Sequence, residues 1–158
     1  MTLRSRDFWF VLALALLVLG IGIGLRDPWP ADEPRFVLVA KQMVESGEML
    51  IPHRGAEIYP DKPPLYFWLL SLAYGLVGSW RWSFLLPSLL AGMGTLALTY
   101  DLGRRLWTPR VGLWAAIAVL VSFQFVYQAK RAQIDPTLVL LTTLAFYGIC
   151  RHVLLGPH

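Results

Sequence analysis

Long apolar runs are the feature that most constrains this chain. Residues 8–25 contain no charged side chain, and Arg26 follows them at once. Three further apolar runs, at 84–102, 111–127 and 136–150, approach the length of about 20 residues that a helix needs to cross a bilayer. Only 15% of the 158 residues are charged and 56% are hydrophobic, whereas about a quarter of a soluble domain is charged. The sequence therefore predicts an all-α integral membrane protein with about four transmembrane helices.

The first apolar run also fits a secretory signal peptide, because basic residues precede it. It is long for a signal peptide and no small-x-small cleavage site follows, so we interpret residues 8–25 as the first span. Arginines in short segments gather on one side of the predicted spans, as the positive-inside rule requires of the cytoplasmic side; these are Arg4, Arg6, Arg104, Arg105, Arg110 and Arg151. We predict a multi-pass protein of the plasma (inner) membrane, with a cytoplasmic N-terminus and residues 27–82 forming a periplasmic or extracellular first loop.

The first loop (residues 27–82) contains patterns typical of surface helices. Pro34 suits the first turn of a helix that Asp32 or Glu33 would cap, and Gly47 stands where such a helix would end. Apolar residues recur between them at helical spacing, namely Phe36, Val39, Ala40, Met43 and Val44. This pattern predicts an amphipathic helix on the membrane surface. Residues 65–77 are apolar but short of a full span, which favours an interfacial or re-entrant helix.

Asp32 and Glu33 are the first candidates for chemistry. Acidic residues ahead of a proline-led helix are good N-caps, and capping is the simpler interpretation of the pair by itself. A carboxylate at a membrane surface is also suited to act as general base or to hold an acceptor hydroxyl. Because adjacent side chains point in different directions, only one of the two would face a reaction.

Basic residues supply the second group of candidates. Lys62 lies between Asp61 and Pro63, where it would reach lipid headgroups or meet a phosphate. Lys130 and Arg131 lie in the predicted second loop (residues 128–135), where cations oppose the positive-inside rule. Two positive charges there suit a lipid phosphate or pyrophosphate. Asp135, before a proline, has the spacing of another N-cap.

Metal and nucleic-acid functions are not favoured. A divalent metal held by His53 with Asp32, Glu33 or Asp61 is not supported, because no HxxxH or similar spacing is present. We expect no cofactor to be required. The basic residues form no continuous stripe, so we expect no nucleic-acid partner, and the single Cys150 is interpreted as a packed thiol.

Taken in order, several motifs resemble one enzyme group. They are Asp32-Glu33-Pro34-Arg35-Phe36, Met43-Val44-Glu45-Ser46-Gly47-Glu48, Ile51-Pro52-His53, Tyr59-Pro60-Asp61-Lys62-Pro63-Pro64, Tyr66-Phe67-Trp68 and Ile134-Asp135-Pro136. This series resembles the external loops of the dolichyl-phosphate-mannose protein mannosyltransferase superfamily, and within it the bacterial lipid A aminoarabinose transferases. The resemblance covers nearly the whole chain and is strongest from Trp29 to Gly78.

The resemblance implies a partial GT-C type fold and an inverting glycosyltransferase activity. Such enzymes move a sugar from a polyprenyl-phosphate donor to a lipid or protein acceptor outside the cytoplasm. Asp32 matches the family's first-loop aspartate, Lys62 the lysine of its Glu-Lys-Pro motif, and Asp135 a second external aspartate. We therefore predict a site with three groups of residues: catalytic carboxylates Asp32, Glu33 and Asp135; phosphate-binding cations Lys62, Lys130 and Arg131; and supporting residues Arg35, Tyr59 and Asp61. Lys130 and Arg131 replace mostly neutral residues of the aminoarabinose enzymes, which leaves the sugar and the acceptor open.

Family members have many more spans, and their donor groove draws on later helices. We therefore expect a C-terminal part or a second subunit to complete this chain. The alternative function is a catalytically inactive membrane module that binds a polyprenyl lipid or a partner protein. A small transporter is a more distant alternative, because the predicted spans contain almost no charge to mark a pathway.

Overall fold

The computed structural model describes residues 3–30 and 32–156. The chain is helical apart from one short hairpin, and its elements in order are α1 (Leu3–Gly20), α2 (Asp32–Ser46), β1 (His53–Arg54), β2 (Glu57–Ile58), α3 (Leu65–Val77), α4 (Trp80–Ser83), α5 (Leu86–Leu106), α6 (Pro109–Val121), α7 (Phe123–Ala129) and α8 (Asp135–Leu155). This confirms the predicted all-α class.

The chain turns sharply after α1. The helix ends at Gly20, and Gly22 and Gly24 follow with φ of 101° and 76°. Residues with a Cβ rarely adopt such positive φ angles. A Cβ at Gly24 would lie 2.5 Å from the ring of Trp82, so this turn also packs closely against α4. The predicted span of residues 8–25 therefore extends past the end of the helix.

Two helices are long and apolar enough to cross a membrane within the described residues: α4 with α5 (Trp80–Leu106), and α8. A third span results if α6 and α7 count as one, although they meet at Ser122 with a bend of 70°. The predicted span of residues 111–127 is thus two helices. The 18-residue α1 carries Arg4, Arg6 and Asp7 and is not among these helices. Its crossing of the membrane, and the boundaries predicted for the four spans, stay predictions.

The first loop folds as a small layer. Its α2 begins and ends where the sequence predicted, with Gly47 at φ 76° after its last turn. Gln42 holds the hairpin to α2, since its side chain accepts from Gly55 N at 2.9 Å and donates to Gly55 O. One apolar core joins α2 and α3 to the start of α5, and it includes Phe36, Met43, Tyr59, Tyr66, Phe67 and Phe84. This core also contains Ala132 of the second loop, so the two loops pack as one unit.

Helix α5 is the centre of the membrane part. It packs against α1, α6 and α8, and its crossing with α6 is so close that a Cβ on Gly112 would lie 2.5 Å from the carbonyl oxygen of Tyr100. At the same end, Asp101 accepts hydrogen bonds from Arg104, Arg105 and Tyr147, which ties α8 to α5. The outer face of α8 is largely uncovered, with exposed residues that include Leu141, Phe146 and Ile149.

Candidate functional site at the junction of the two loops

Glu33 lies at the centre of the junction between the two loops. Its side chain has no exposed surface, yet each carboxylate oxygen accepts two hydrogen bonds. Oε2 accepts from Arg26 Nη1 and from the backbone N–H of Trp29, both at 2.6 Å. Oε1 accepts from Arg26 Nη2 at 2.9 Å and from the backbone N–H of Ala132 at 2.8 Å. Arg131 Nε lies 3.9 Å from the same oxygen.

These partners determine the charge of Glu33. Burial by itself would raise the pKa of this carboxyl, because removal from water disfavours the ionised form. The hydrogen bonds from Arg26, Trp29 and Ala132 outweigh burial and hold the pKa below its usual value. Neither Trp29 nor Ala132 belongs to α2, so Glu33 is not the helix cap that its position suggested. It is an ionised, buried carboxylate, whereas the sequence pattern placed it among the catalytic carboxylates.

Arg26 and Lys130 extend this network to α1. Arg26 Nη2 also donates to the backbone carbonyl of Lys130 at 2.9 Å. The Lys130 ammonium in turn donates to the carbonyl of Val18 at 3.1 Å, in the last turn of α1. Terminal carbonyls of a helix lack partners within it, and a cation at that end also complements the helix dipole. Lys130 therefore caps α1. This role explains why a cation lies in the second loop, where the positive-inside rule disfavours it.

A groove of about 320 Å³ opens beside this network. Three cations line it, Arg26, Lys130 and Arg131, whereas the rest of its wall is mainly apolar and includes Leu19, Ile21, Leu85, Phe123 and Val126. Arg131 Nη1 donates to the hydroxyl of Tyr127 at 2.8 Å, and its Nε is buried without a hydrogen-bond acceptor among the described residues. Glu33 neutralises one of the three charges. This loop-junction groove thus combines apolar walls with excess positive charge, as the phosphate end of a lipid requires.

Asp32 has different surroundings from Glu33. Its side chain is 43% exposed and forms an ion pair with Arg35 one turn along α2. The Arg35 guanidinium lies 5.9 Å from the ring of Tyr59, and Arg54 lies at the same distance from that ring. The Tyr59 hydroxyl and Arg35 Nε are both buried without a hydrogen-bond partner in the described part of the chain. Asp32 and two of its predicted supporting residues, Arg35 and Tyr59, therefore form one cluster.

The remaining candidates lie elsewhere. Asp61 and Lys62 are exposed in the turn before α3, and Lys62 forms no ion pair within residues 3–30 and 32–156. Asp135 is the first residue of α8, with Ile134 rather than Asp135 at the capping position. Its carboxylate accepts from Gln128 Nε2 at 3.1 Å and lines a separate cavity of about 370 Å³.

No three His, Cys, Asp or Glu side chains of the described residues are grouped closely enough to hold a metal ion. The expectation that no cofactor is needed stays a prediction.

The sequence model of the family described as dolichyl-phosphate-mannose-protein mannosyltransferase matches residues 61–155, more than half of the chain. The chain belongs to this family. The chain is also similar to the undecaprenyl phosphate-alpha-4-amino-4-deoxy-L-arabinose arabinosyl transferase of Pseudomonas savastanoi pv. phaseolicola. It is 30% identical over 145 residues, which are 91% of this chain and 27% of the relative.

Two solved structures share the fold. ArnT from Cupriavidus metallidurans in the apo state superposes with a TM-score of 0.85 at 23% identity, over 91% of this chain and 27% of ArnT. The same protein bound to undecaprenyl phosphate gives 0.81 at 24% identity, over 87% and 26% of the two chains. The chain thus spans about a quarter of the length of the proteins it matches. The likeness confirms the predicted partial GT-C membrane fold.

Sequence reasoning missed Arg26 as a site residue of this mannosyltransferase-family chain. Arg26 appeared only as the charge that ends an apolar run, and its seven-residue spacing from Glu33 is not a helical contact pattern. A buried acid requires a counter-charge, so the apolar surroundings of Glu33 were the one available signal. The contact of Glu33 with Ala132 spans 99 residues and leaves no local pattern.

Proposed function

We propose that this chain is the N-terminal part of a membrane glycosyltransferase that acts at the external face of the plasma (inner) membrane. The donor is a sugar linked to a polyprenyl phosphate, and the acceptor is a lipid or a protein. The observation that carries the proposal is the cation-lined apolar groove at the junction of the loops, in a chain that belongs to the mannosyltransferase family. The partly exposed carboxylate of Asp32 lies at the start of α2, outside the lining of this groove. The words undecaprenyl phosphate in the name of the Pseudomonas relative support this class of donor.

The chemistry assigns a step to each group. The acceptor oxygen forms a bond to the anomeric carbon of the sugar while the bond from that carbon to the phosphate oxygen breaks. The acceptor attacks from the face opposite the phosphate, so the anomeric centre is inverted. Asp32 takes the proton of an acceptor hydroxyl. When the acceptor is an ionised phosphate there is no proton to remove, and Asp32 orients it.

The leaving group is the polyprenyl phosphate, whose growing negative charge needs neutralisation. Lys62 is exposed and free of any ion pair in the described ranges, so its ammonium is available for this role. Lys130 and Arg131 line the groove and supply further charge, and its apolar wall suits the first isoprene units. Arg35 forms an ion pair with Asp32, and the Tyr59 ring lies 5.9 Å from the Arg35 guanidinium.

The test is a variant Asp32→Asn in the cells that carry this chain. We expect transfer of a radiolabelled sugar from an undecaprenyl-phosphate-linked donor to membrane acceptors to fall by at least about 100-fold, the contribution of a general base. The amount of the chain in the membrane fraction should not change. Glu45→Gln is the matched control, since Glu45 lies on the same helix, is exposed, and pairs only with Lys41 among the described residues. Normal transfer by Asp32→Asn would remove Asp32 from the reaction.

One observation favours a second candidate, a membrane module that binds lipid without catalysis. Asp135 lines a different cavity from Lys130 and Arg131, so the predicted site residues do not share one cavity. A module of this kind would bind undecaprenyl phosphate normally, and Asp32→Asn and Asp135→Asn would leave sugar transfer in the cells unaltered. A loss of transfer in either variant excludes this function.

A further inference from the structure

The acceptor positions of the Glu33 carboxylate are all occupied by hydrogen bonds within the protein. A carboxylate accepts about four hydrogen bonds, and Glu33 already accepts four, from Arg26 twice and from Trp29 and Ala132. Its side chain is also completely buried. A base needs an accessible lone pair, so this residue cannot take a proton from a substrate while these bonds persist.

The four bonds come from separate parts of the chain. Arg26 and Trp29 belong to the segment between α1 and α2, whereas Ala132 belongs to the second loop. Arg26 adds a bond to the carbonyl of Lys130, so the backbone of the second loop is held on both sides of Arg131. The direction in which the Arg131 side chain leaves the backbone is therefore set by Glu33 and Arg26.

We infer that Glu33 is a positioning residue, which holds residues 130–132 against the first loop and so sets where Lys130 and Arg131 stand in the loop-junction groove. The use of those two cations for a lipid phosphate rests on the proposed function, whereas the holding role does not. A glutamine cannot replace Glu33, because its amide nitrogen would face donors that need an acceptor and Arg26 would lose its counter-charge.

The experiment measures the distance between the loops. Spin labels are placed on α2 and α7 through Leu38→Cys and Gln124→Cys, two exposed sites, in a chain whose single native cysteine is removed by Cys150→Ala. The labelled full chain is studied in lipid nanodiscs by double electron–electron resonance. We expect a narrow distance distribution, which Glu33→Gln broadens at least twofold.

Two controls separate positioning from other effects. Glu45→Gln removes an exposed charge from the same helix and should leave the distribution narrow. Leu96→Ala removes a buried side chain of α5 from its core with α1 and α6, and should lower stability without broadening the distribution. A Glu33→Gln distribution as narrow as that of the parent overturns the inference.

Binding of undecaprenyl phosphate in the same nanodiscs separates this inference from the proposed function. We expect about tenfold weaker binding by Glu33→Gln and by Lys130→Gln/Arg131→Gln. Normal binding by the double variant, together with a broadened distance in Glu33→Gln, would overturn the phosphate role of the cations and support the holding role. Parent-like binding by Glu33→Gln, when the double variant has lost binding, would overturn the inference.

The unaltered chain provides a measurement that does not depend on folding of a variant. Hydrogen exchange is followed by mass spectrometry in nanodiscs. A peptide covering residues 129–134 should exchange as slowly as the ends of α5, because the Ala132 amide is bonded to a buried anion. Exchange as fast as in the exposed turn around Gly55 would overturn the inference.

Discussion

At the scale of single residues, Asp32 and Glu33 are adjacent in the sequence but differ in burial and in their partners. Successive residues of a helix point about 100° apart, so only one of an adjacent pair can face the interior. Glu33 points inward and meets Arg26, whereas Asp32 stays 43% exposed and meets Arg35. The two carboxylates therefore differ in accessibility, although both belong to the first turn of α2.

The lowered pKa of Glu33 predicts a pH dependence of stability. Because the pKa is lower in the folded chain than the ordinary 4.5, the stabilisation is complete above that value and is lost as pH falls through the folded pKa. We expect the thermal midpoint in detergent to be constant from about pH 8 to pH 6 and to fall in acid. Glu33→Gln has no carboxyl at this position, so its thermal midpoint should fall less in acid than that of the parent.

At neutral pH, Glu33→Gln should also unfold more easily, by about 3 kcal/mol, because Arg26 loses the acceptor of a buried pair. Differential scanning fluorimetry between pH 3.5 and pH 8, with Glu45→Gln as the surface control, measures both effects. If the thermal midpoints of the parent and of Glu33→Gln fell equally in acid, other carboxyls would be the cause of the pH dependence of stability.

Only part of the site could be predicted from the sequence. The cluster of Asp32, Arg35 and Tyr59 was predictable because the motifs that contain these residues are local and match a family pattern. The partners of Glu33 were not, since they depend on where the second loop docks. The cap formed by Lys130 on α1 was hidden for the same reason: its acceptor lies 112 residues away.

At the scale of helices and strands, local patterns gave the positions of most helices, whereas breaks within them were missed. The apolar period of α2 and the boundary glycine Gly47 are local signals, and α2 ends as they predict. The bend at Ser122 has no comparable signal, because an apolar run continues on both sides of it. The turn after Gly20 was signalled by Gly22 and Gly24, although the apolar run around them masked it.

The crossing of α5 and α6 yields a prediction for Gly112→Ala. The added Cβ would lie 2.5 Å from Tyr100 O and 2.8 Å from Arg104 N, and backbone atoms of a packed helix cannot move aside. We expect the free energy of unfolding to fall by about 1–3 kcal/mol, as overpacking does elsewhere.

Gly148→Ala is the matched control for that crossing. Gly148 also lies in a helix, but its added Cβ would meet no described atom within 4 Å beyond its chain neighbours and the nearby backbone of its own helix. Alanine is the better helix former, so this variant should be unchanged or more stable by up to about 1 kcal/mol. Thermal unfolding of both variants in one detergent makes the comparison, and equal stability of the two would contradict the close crossing.

At the scale of the whole molecule, the predicted orientation places the loop junction outside and the turn between α5 and α6 inside. Glu57→Cys on β2 and Trp107→Cys at that turn report on the two sides, because both residues are exposed. In a Cys150→Ala background, a membrane-impermeant maleimide added to intact cells should label Glu57→Cys and leave Trp107→Cys unlabelled. Permeabilised cells should label both, and labelling of Trp107→Cys alone in intact cells would reverse the orientation.

The bond between Glu33 and the Ala132 amide also has a consequence for how the chain is made. Synthesis proceeds from the N-terminus, so Glu33 is made 99 residues before its partner Ala132 in the second loop. During that interval the Arg26–Glu33 pair, only seven residues apart, can already form and keep the carboxylate charged. Trp29 is also close to Glu33 in the sequence, so one of the four acceptor positions of Glu33 stays open to water until residue 132 arrives and its amide donates to it. Membrane assembly of this chain should therefore be completed late, when α7 has left the ribosome and the second loop docks.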